Sequence, residues 1–179
     1  IFDKVKKAIA PYDPEHLLNH FFLNSRGAIA RFDRGAIEIR LVDIQECPNA
    51  DIAIAEMEIA TLKAIADKDL RDFDTERLAA LLLATTRDAE DTVIDWPEFL
   101  AVFGMEGTCT AGDLWKHVFE AVKGDLTEVS CNIMEQMLAR GTLSSALYRA
   151  LGDAPSHEAF INEYKKLADC LAHNRLYGV

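Results

Sequence analysis

The sequence predicts a predominantly helical α+β protein, in which an N-terminal β-hairpin, part of an antiparallel sheet, packs on helices and is followed by an antiparallel helical bundle. Three observations predict this class. The only clear strand pattern lies at 28–43, helical spacing covers most of the chain after it, and short links that contain glycine separate the later helices. The 179 residues, half of them hydrophobic, suffice for one domain, or for one domain with a small extension.

The first residues predict two short helices. Residues 2–10 have an amphipathic pattern that stops before a proline, and Pro14 suits the first turn of a second helix that runs through Phe22. His16 and His20 have the four-residue spacing that metal-binding histidines use, but no third ligand accompanies them. We therefore expect packing or surface roles for both histidines.

Residues 28–33 and 36–43 predict the two strands of a hairpin around a two-residue loop, Arg34-Gly35. That loop pairs Arg31 with Glu38 on neighbouring strands. Because side chains alternate along a strand, we expect one apolar face against the core and one charged face. The apolar face carries Ala28, Ala30, Phe32, Ile37, Ile39 and Leu41, and the charged face carries Arg31, Asp33, Glu38 and Arg40.

Helical spacing resumes after residues 47–49, and Asn49 or Asp51 is the expected cap of the first helix. The turn-rich sequence MEGTCTAG then divides the chain, so we predict a hairpin-and-helix domain over 1–104 and a helical tail over 105–179. Trp96 is a predicted core residue. Predicted helices cover 49–67, 75–90, 110–123, 126–140, 142–151 and 157–173, with a short helix near Pro97.

Composition and charge limit the classes of partner. The net charge of −11 is concentrated in the middle of the chain, which argues against nucleic acid or an anionic membrane as the partner of the whole chain. The four cysteines are scattered without C-x-x-C spacing, as is typical of reduced cytosolic thiols. No signal-peptide pattern and no apolar run of membrane-spanning length is evident, so we expect a cytoplasmic protein.

The charged face of the hairpin has two interpretations. It is either the solvated outer surface of the sheet, with Arg31 and Glu38 as a cross-strand ion pair of modest value, or a site where one carboxylate and several guanidinium groups converge on a metal-bound polyphosphate. A carboxylate suits a hard cation such as Mg²⁺, and arginine suits bidentate contact with phosphate. Residue spacing alone does not choose between the two.

A run of residues around the hairpin resembles the C-terminal part of glutamate-cysteine ligases. It covers about 30 residues, and Arg140-Gly141-Thr142-Leu143 before a later helix also resembles that family. More distantly, the run is similar to the Asn-Arg-Ser…Arg…Glu-x-Arg…Asp…Asn pattern of glutamine synthetase, which belongs to the same carboxylate-amine ligase superfamily. The matching residues are Asn24-Ser25-Arg26-Gly27-Ala28, Arg31, Ile37-Glu38-Ile39-Arg40, Asp43, Asn49 and Ile52-Ala53.

The resemblance implies a reaction and a role for each matching residue. These ligases use ATP to activate the γ-carboxylate of glutamate as an acyl phosphate, which an amine such as cysteine attacks on the way to glutathione. The family likeness therefore implies ATP as co-substrate, Mg²⁺ as cofactor and Glu38 as a Mg²⁺ ligand. Arg40 would hold the transferred phosphoryl group or the substrate carboxylate, and Arg31 would contact the nucleotide phosphates. Asn24 and Arg26 would lie near the glutamate substrate.

The chain also departs from the ligase pattern. Arg40 is followed by Leu41-Val42 where glutamine synthetase has a proline, and Arg26 is displaced by one position. Only one metal-binding carboxylate matches, so the other ligands would lie upstream. Because a lone hairpin is marginally stable, we expect a missing N-terminal half or a second copy of the chain to complete the sheet. Because only one carboxylate matches and phosphoryl transfer needs metals held from several sides, we expect the isolated chain to be inactive. The alternative is a non-catalytic helical interaction or regulatory domain that retains the ligase hairpin.

Overall fold

The computed structural model of the protein describes residues 2–18, 23, 27–68 and 73–179. The chain divides into two compact units, Ile1–Ile44 and Gln45–Val179. The predicted boundary between residues 104 and 105 falls inside the second unit, because helices from both sides of it pack against each other. The mostly helical α+β class is confirmed.

The first unit begins with a short helix, α1 (Phe2–Ile9), and a 3₁₀ turn, Ala10–Tyr12. Asp13 then ends the helical backbone, and its carboxylate accepts hydrogen bonds from the N–H groups of Leu17 (2.8 Å) and Leu18 (2.9 Å). Residues 14–18 therefore form a turn and an irregular segment where the sequence predicts the start of a second helix. The rest of that predicted helix, residues 19–22 with His20, lies outside the described residues.

The hairpin consists of β1 (Ala28–Arg31) and β2 (Ala36–Ile39), which pair antiparallel. The predicted two-residue loop is wrong, because four residues, 32–35, connect the strands. The strands pair Ile29 with Glu38 and Arg31 with Ala36, so the register differs by two residues from the predicted one. The longer turn is closed by the N–H of Arg34, which donates to the carbonyl of Arg31 (2.9 Å). Because side chains alternate with period two, a shift of two residues leaves every side chain on its predicted face.

The buried face of the hairpin is the opposite of the predicted one. Phe32 and Ile37, on the apolar face, are 82% and 65% exposed. On the charged face, Ile29 is 4% exposed and Arg31 is 8% exposed. Alternation decides which residues share a face, whereas burial depends on what covers that face, so the expectation that the apolar face lies in the core is wrong for this chain.

The second unit is built from helices, and each predicted helix is found within two residues of its expected bounds. The helices are α2 (Pro48–Ala66), α3 (Thr75–Asp88), α4 (Pro97–Leu100), α5 (Ala111–Val122), α6 (Glu128–Arg140), α7 (Leu143–Leu151) and α8 (His157–His173). The sequence pattern missed one feature, a pair of two-residue antiparallel strands, β3 (Val93–Ile94) and β4 (Cys109–Thr110). Helix α2 packs along α6 and α5, and α7 packs on α8.

Helix starts in the second unit follow the expected capping chemistry. The side chains of Asp74, Thr110, Thr127, Thr142 and Ser156 each accept the N–H of the residue three positions later. Helices α2 and α4 differ, because they start at Pro48 and Pro97 after Cys47 and Trp96, which make no side-chain capping bond. The predicted caps Asn49 and Asp51 lie inside α2, and the Asp51 carboxylate instead accepts the N–H of Gln45 (2.9 Å).

Aromatic side chains fill one end of the core, as the sequence predicts for Trp96. The rings of Phe73 and Phe99 lie 5.4 Å from the Trp96 ring, centroid to centroid. The guanidinium of Arg77 covers the Trp96 ring at 4.2 Å, and its Nη2 donates to the carbonyl of Asp95 (3.0 Å). The main core continues through buried residues of α2, α5 and α6.

Glu56 links α2 to the start of α6. Its Oε2 accepts the N–H of Thr127 (2.8 Å), and both carboxylate oxygens accept from the Thr127 hydroxyl. The hydrogen bond from the Thr127 backbone, with smaller contributions from the hydroxyls of Ser130 and Thr127, holds the pKa of Glu56 below its ordinary value. Helical spacing in the sequence gives no sign of this contact.

We expect Glu56→Gln to lower the free energy of unfolding at pH 7 and to have a smaller effect in acid. A carboxylate whose folded-state pKa is depressed contributes stability above its unfolded pKa and loses it as the pH falls through the folded pKa. Urea denaturation between pH 7 and pH 3 measures the effect, with Glu106→Gln, at an exposed position outside the helices, as the control. A difference from wild type that stays constant across this range would contradict the assignment.

Gly141 connects α6 to α7 in a backbone conformation that only glycine adopts readily, with φ +88° and ψ −172°. A Cβ there would overlap Oε1 of Glu90 and lie 2.9 Å from its carboxyl carbon. Glu90 stays in place because its Oε2 accepts from the N–H of Thr142 (3.3 Å) and the hydroxyl of Ser145 (2.9 Å) at the start of α7. The glycine thus provides the space for a carboxylate that caps a helix.

Gly141→Ala is therefore expected to destabilise the protein more than Gly152→Ala. Gly152 has nearly the same backbone, with φ +69° and ψ −173°. Its chain neighbours aside, no atom of the described ranges lies within 4 Å of the position that a Cβ would take. Both variants carry a backbone cost of about 1–3 kcal/mol. The clash with Glu90 adds about 1–3 kcal/mol for Gly141→Ala alone. Chemical denaturation of the two variants measures this difference, and equal losses would contradict the role given to Glu90.

Candidate functional site

The charged face of the hairpin brings three of the predicted site residues together. Glu38 lies on β2, and its Oε2 accepts a hydrogen bond from Nη1 of Arg31 on β1 (2.7 Å). The other oxygen, Oε1, accepts from Nε of Arg40 (2.8 Å). Arg40 follows β2 directly, and its N–H donates to the carbonyl of Gly27 (2.7 Å), which extends the pairing beyond the strand. One carboxylate therefore bridges two guanidinium groups on a single face.

Asp33 completes this cluster. Its two oxygens accept from Nε and Nη2 of Arg31, both at 3.1 Å, in a bidentate arrangement. Arg34 lies close to the same carboxylate, with Nε 3.7 Å from Oδ2. Strand alternation predicts that Asp33 shares this face, but sequence reasoning assigned it no role. Its position two residues after Arg31 was the available signal, since side chains two apart on an extended chain share a face.

The two carboxylates of the cluster are held in their ionised form. Hydrogen bonds from Arg31 and then from Arg40 lower the pKa of Glu38, and the hydrogen bond from Arg31 lowers the pKa of Asp33. The hydrogen bond to Asp33, which is the largest contribution, and the hydrogen bond to Glu38 raise the pKa of Arg31. At neutral pH the cluster is therefore a fixed arrangement of alternating charges.

Accessibility differs among the three bridged side chains. The side chain of Arg31 is 9% exposed, that of Arg40 is 23% exposed and that of Glu38 is 37% exposed. Arg31 is thus the buried anchor, whereas Glu38 and Arg40 present atoms to solvent. A small anionic molecule that reaches this face would meet Arg40 and the open side of Glu38 first.

The fit to Mg²⁺ can be tested on the donor atoms. An ionised carboxylate has about four lone-pair positions, so each oxygen of Glu38 can accept one guanidinium and still coordinate a cation. Among the described residues, however, no group of three or more Asp, Glu, His or Cys side chains is placed to hold a metal. Glu38 therefore fits one ligand of a shared site, and the described part of the chain does not form a complete one.

The two predicted substrate-binding residues, Asn24 and Arg26, lie outside the described residues, so their place beside a glutamate substrate stays a prediction. Gly27, the next residue of the matching run, is described. A Cβ at Gly27 would overlap Cδ1 of Leu41 and lie 2.6 Å from its Cγ. This glycine therefore allows the close approach of the two chain segments that ends the hairpin.

A second charged cluster lies in the helical unit, and sequence reasoning missed it. Arg140 at the end of α6 forms a buried ion pair with Glu46, which precedes α2, and its Nη1 also donates to the carbonyl of Tyr177 (2.8 Å). The N–H of Tyr177 donates to Glu46 (3.2 Å). The two charged partners lie 94 positions apart in the sequence, so no local pattern marks the pair. The sequence drew attention to Arg140 only through the ligase-like run Arg140-Gly141-Thr142-Leu143, which says nothing about Glu46.

Comparison with known proteins gives an uncharacterized relative and no family. No family model matches the chain, and no solved structure matches it. A protein of Archaeoglobus fulgidus, described as an uncharacterized protein, is 26% identical over 164 residues, which are 90% of this chain and 39% of that protein. The chain therefore spans well under half the length of this curated relative. Across the described ranges, no helix combines the length and the apolar character needed to cross a membrane.

Proposed function

We propose that the chain is the C-terminal part of an ATP-dependent carboxylate-amine ligase of the glutamate-cysteine ligase type, acting in the cytoplasm in glutathione biosynthesis. The observation that carries this proposal is the bridging of Arg31 and Arg40 by the carboxylate of Glu38. All three residues stand at positions that match the ligase pattern. The greater length of the archaeal relative supports a larger protein in which other segments complete the site.

The proposed reaction has two steps. An oxygen of the glutamate γ-carboxylate attacks the γ-phosphorus of ATP, the bond to the bridging oxygen breaks, and ADP leaves. The amine nitrogen then attacks the carbonyl carbon of the acyl phosphate, loses a proton, and inorganic phosphate leaves with the bonding electrons. Negative charge spreads over the phosphoryl oxygens during the first step, and fixed cations stabilise that charge.

Arg40 and Arg31 are the cations that this chain would contribute. Arg40 is partly exposed and is oriented by Glu38, so the solvent-facing part of its guanidinium can meet a phosphate or carboxylate oxygen. Arg31 is fixed between Glu38 and Asp33, which keeps the face rigid. Groups that are already oriented need no reorganisation when charge develops, which is how such sites accelerate a reaction.

The proposal assigns part of the site to other segments. Mg²⁺, when bound, would neutralise phosphate charge, with Glu38 as one of its ligands and carboxylates from elsewhere as the others. The exposed apolar face of the hairpin supports this division, because an upstream segment or a second copy of the chain that packs on this face would cover Phe32 and Ile37. Two strands alone form a marginally stable sheet.

The experiment that tests the proposed function is ATP-dependent phosphate release by the full-length protein. Glutamate is supplied with a panel of amines that includes cysteine, and controls omit the glutamate or the amine. We expect release that requires both substrates and is fastest with one amine. Release that is independent of glutamate, or no release with any amine, would contradict the ligase assignment.

The 179-residue chain alone is expected not to turn over ATP with glutamate and cysteine. Phosphoryl transfer of this kind uses metal ions held from several sides, and the described residues supply one matching carboxylate. The same phosphate-release assay on the purified chain measures this. Glutamate-dependent turnover by the chain would show that it holds a complete site and would overturn the division proposed above.

A second candidate function is a non-catalytic interaction or regulatory domain that retains the hairpin. The observation in its favour is that both oxygens of Glu38 already accept from arginines, which is also the arrangement of an ion-pair network that only stabilises a hairpin. The two candidates differ in what the loss of the Glu38 charge would change. A ligase loses turnover, whereas an interaction domain loses at most stability.

A further inference from the structure

A cavity of about 550 Å³ lies in the helical unit, between α7, α8 and the residues after α8. This volume falls within the range of cavities that hold small molecules. The lining combines apolar groups, among them Ala146 and Leu176, with charged side chains. The cavity shares no residue with the hairpin, so it can be considered apart from the proposed ligase site.

The charged side chains that line the cavity are mostly cationic. Four cationic side chains and one acidic side chain line the cavity, although the protein as a whole carries a net charge of −11. They are Arg140, Arg149, Lys166 and Arg175, with Asp169 as the carboxylate. A concave surface with an excess of positive charge raises the local concentration of anions. The lining is therefore suited to an anion and not to a cation.

Three of the lining cations are well exposed, so their ion pairs are weak. The side chains of Arg175 and Lys166 are each 63% exposed, and they pair with Asp169 and Glu163 respectively. Arg149 is 56% exposed and lies 4.0 Å from the nearest carboxylate oxygen, that of Glu90. Ion pairs of such accessible cations are screened by salt, so an anionic ligand can exchange with these carboxylates.

Arg140 supplies a donor that is already in place. Its side chain is 6% exposed, and its Nη1 binds Glu46 and the carbonyl of Tyr177. Its Nη2 is buried and, like Oε2 of its ion-pair partner Glu46, has no hydrogen-bond partner among the described residues. A buried guanidinium nitrogen without an acceptor is unfavourable, and either Oε2 of Glu46 or an oxygen of a phosphate or carboxylate ligand would satisfy it.

From these observations we infer that the cavity is a binding site for a small metabolite that carries two or more oxyanion groups, phosphate or carboxylate. Arg140 binds one oxyanion from the buried side, and Arg149, Lys166 and Arg175 bind the other groups from the mouth of the cavity. The apolar lining contacts the carbon skeleton. This inference does not rest on the ligase proposal, since neither the hairpin nor ATP is involved.

The test is a titration of the purified chain by isothermal calorimetry at about 150 mM NaCl, close to physiological ionic strength. Pyrophosphate is the phosphate probe, citrate is the carboxylate probe, and glucose is the uncharged control. We expect saturable binding of at least one anion, and Arg149→Gln/Arg175→Gln is expected to weaken it at least tenfold. Arg87→Gln, which removes an exposed arginine outside the cavity, is expected to change binding less than twofold. Arg40→Gln is a second control that reports any binding at the hairpin.

Each outcome decides the inference. No saturable binding at this salt concentration, or equal weakening by Arg87→Gln, would overturn it, because the interaction would then be absent or non-specific. Weakening by Arg40→Gln alone would assign the anion to the hairpin and would also overturn it. Arg140→Lys keeps the charge but removes the forked donor, and it is expected to weaken binding at least tenfold. If this variant does not fold, Arg149→Gln/Arg175→Gln, which changes two exposed arginines, decides.

Discussion

Glu38→Gln in the full-length protein is expected to lower turnover of ATP with glutamate and an amine by about a hundredfold or more while the protein stays folded. Glutamine keeps the shape of the side chain but removes the negative charge that orients Arg31 and Arg40. It also removes the proposed metal ligand of this chain. Steady-state phosphate release, with circular dichroism to check folding, measures the effect.

Asp33→Asn is the matched control for this variant. Asp33 also pairs with Arg31, through two hydrogen bonds, but it stands at no position of the ligase pattern. We expect it to change turnover less than tenfold. Near-normal turnover of Glu38→Gln would mean that Glu38 is only a surface ion-pair partner, and equal losses in both variants would mean that hairpin structure, not a metal ligand, accounts for them.

Arg140→Met is expected to lower the free energy of unfolding by about 3–5 kcal/mol. The carboxylate of Glu46 is fully buried, and Arg140 is its cationic partner as well as a donor to Tyr177. Removing the arginine leaves an unpaired charge in the interior, which is far more costly than the pair itself is favourable. Urea denaturation followed by circular dichroism measures the change.

Two further variants separate the unpaired charge from lost packing. Arg140→Met/Glu46→Met removes both charges and is expected to recover much of the loss, since buried ion pairs are often replaced by apolar residues at little cost. Arg87→Met breaks an exposed pair with Asp88 and is expected to cost about 0–1 kcal/mol. A loss of that small size for Arg140→Met as well would contradict the role of the buried pair.

The faces of the hairpin could be predicted from the sequence, whereas its register and burial could not. Period-two alternation places Arg31, Glu38 and Arg40 together whether the loop has two residues or four. In the structure, the loop includes Phe32 and Asp33 as well as Arg34 and Gly35. Arg34-Gly35 alone resembles a two-residue hairpin loop, so the sequence indicates a shorter loop than the one that forms. Which face is covered depends on segments that pack on the hairpin, and alternation contains no information about them.

Helices of the second unit were predictable because their signals are local. Helical spacing and the caps at Thr110 and Ser156 lie within a few residues of the ends they define. The contacts that join the helices are not local. Glu56 meets Thr127 across 71 positions and Glu90 meets Thr142 across 52, so a single sequence offers no pattern that links these partners.

Trapping of an acyl phosphate tests the ligase assignment of the charged face most directly. The full-length protein is incubated with ATP, glutamate and hydroxylamine, which attacks the carbonyl carbon of an acyl phosphate and yields a hydroxamate as phosphate leaves. We predict γ-glutamyl hydroxamate in amounts equal to the ADP formed, and a decrease of about a hundredfold in the Glu38→Gln variant. Absence of the hydroxamate in the wild-type protein would contradict the ligase assignment, and equal amounts from wild type and variant would contradict the role of Glu38 in the reaction.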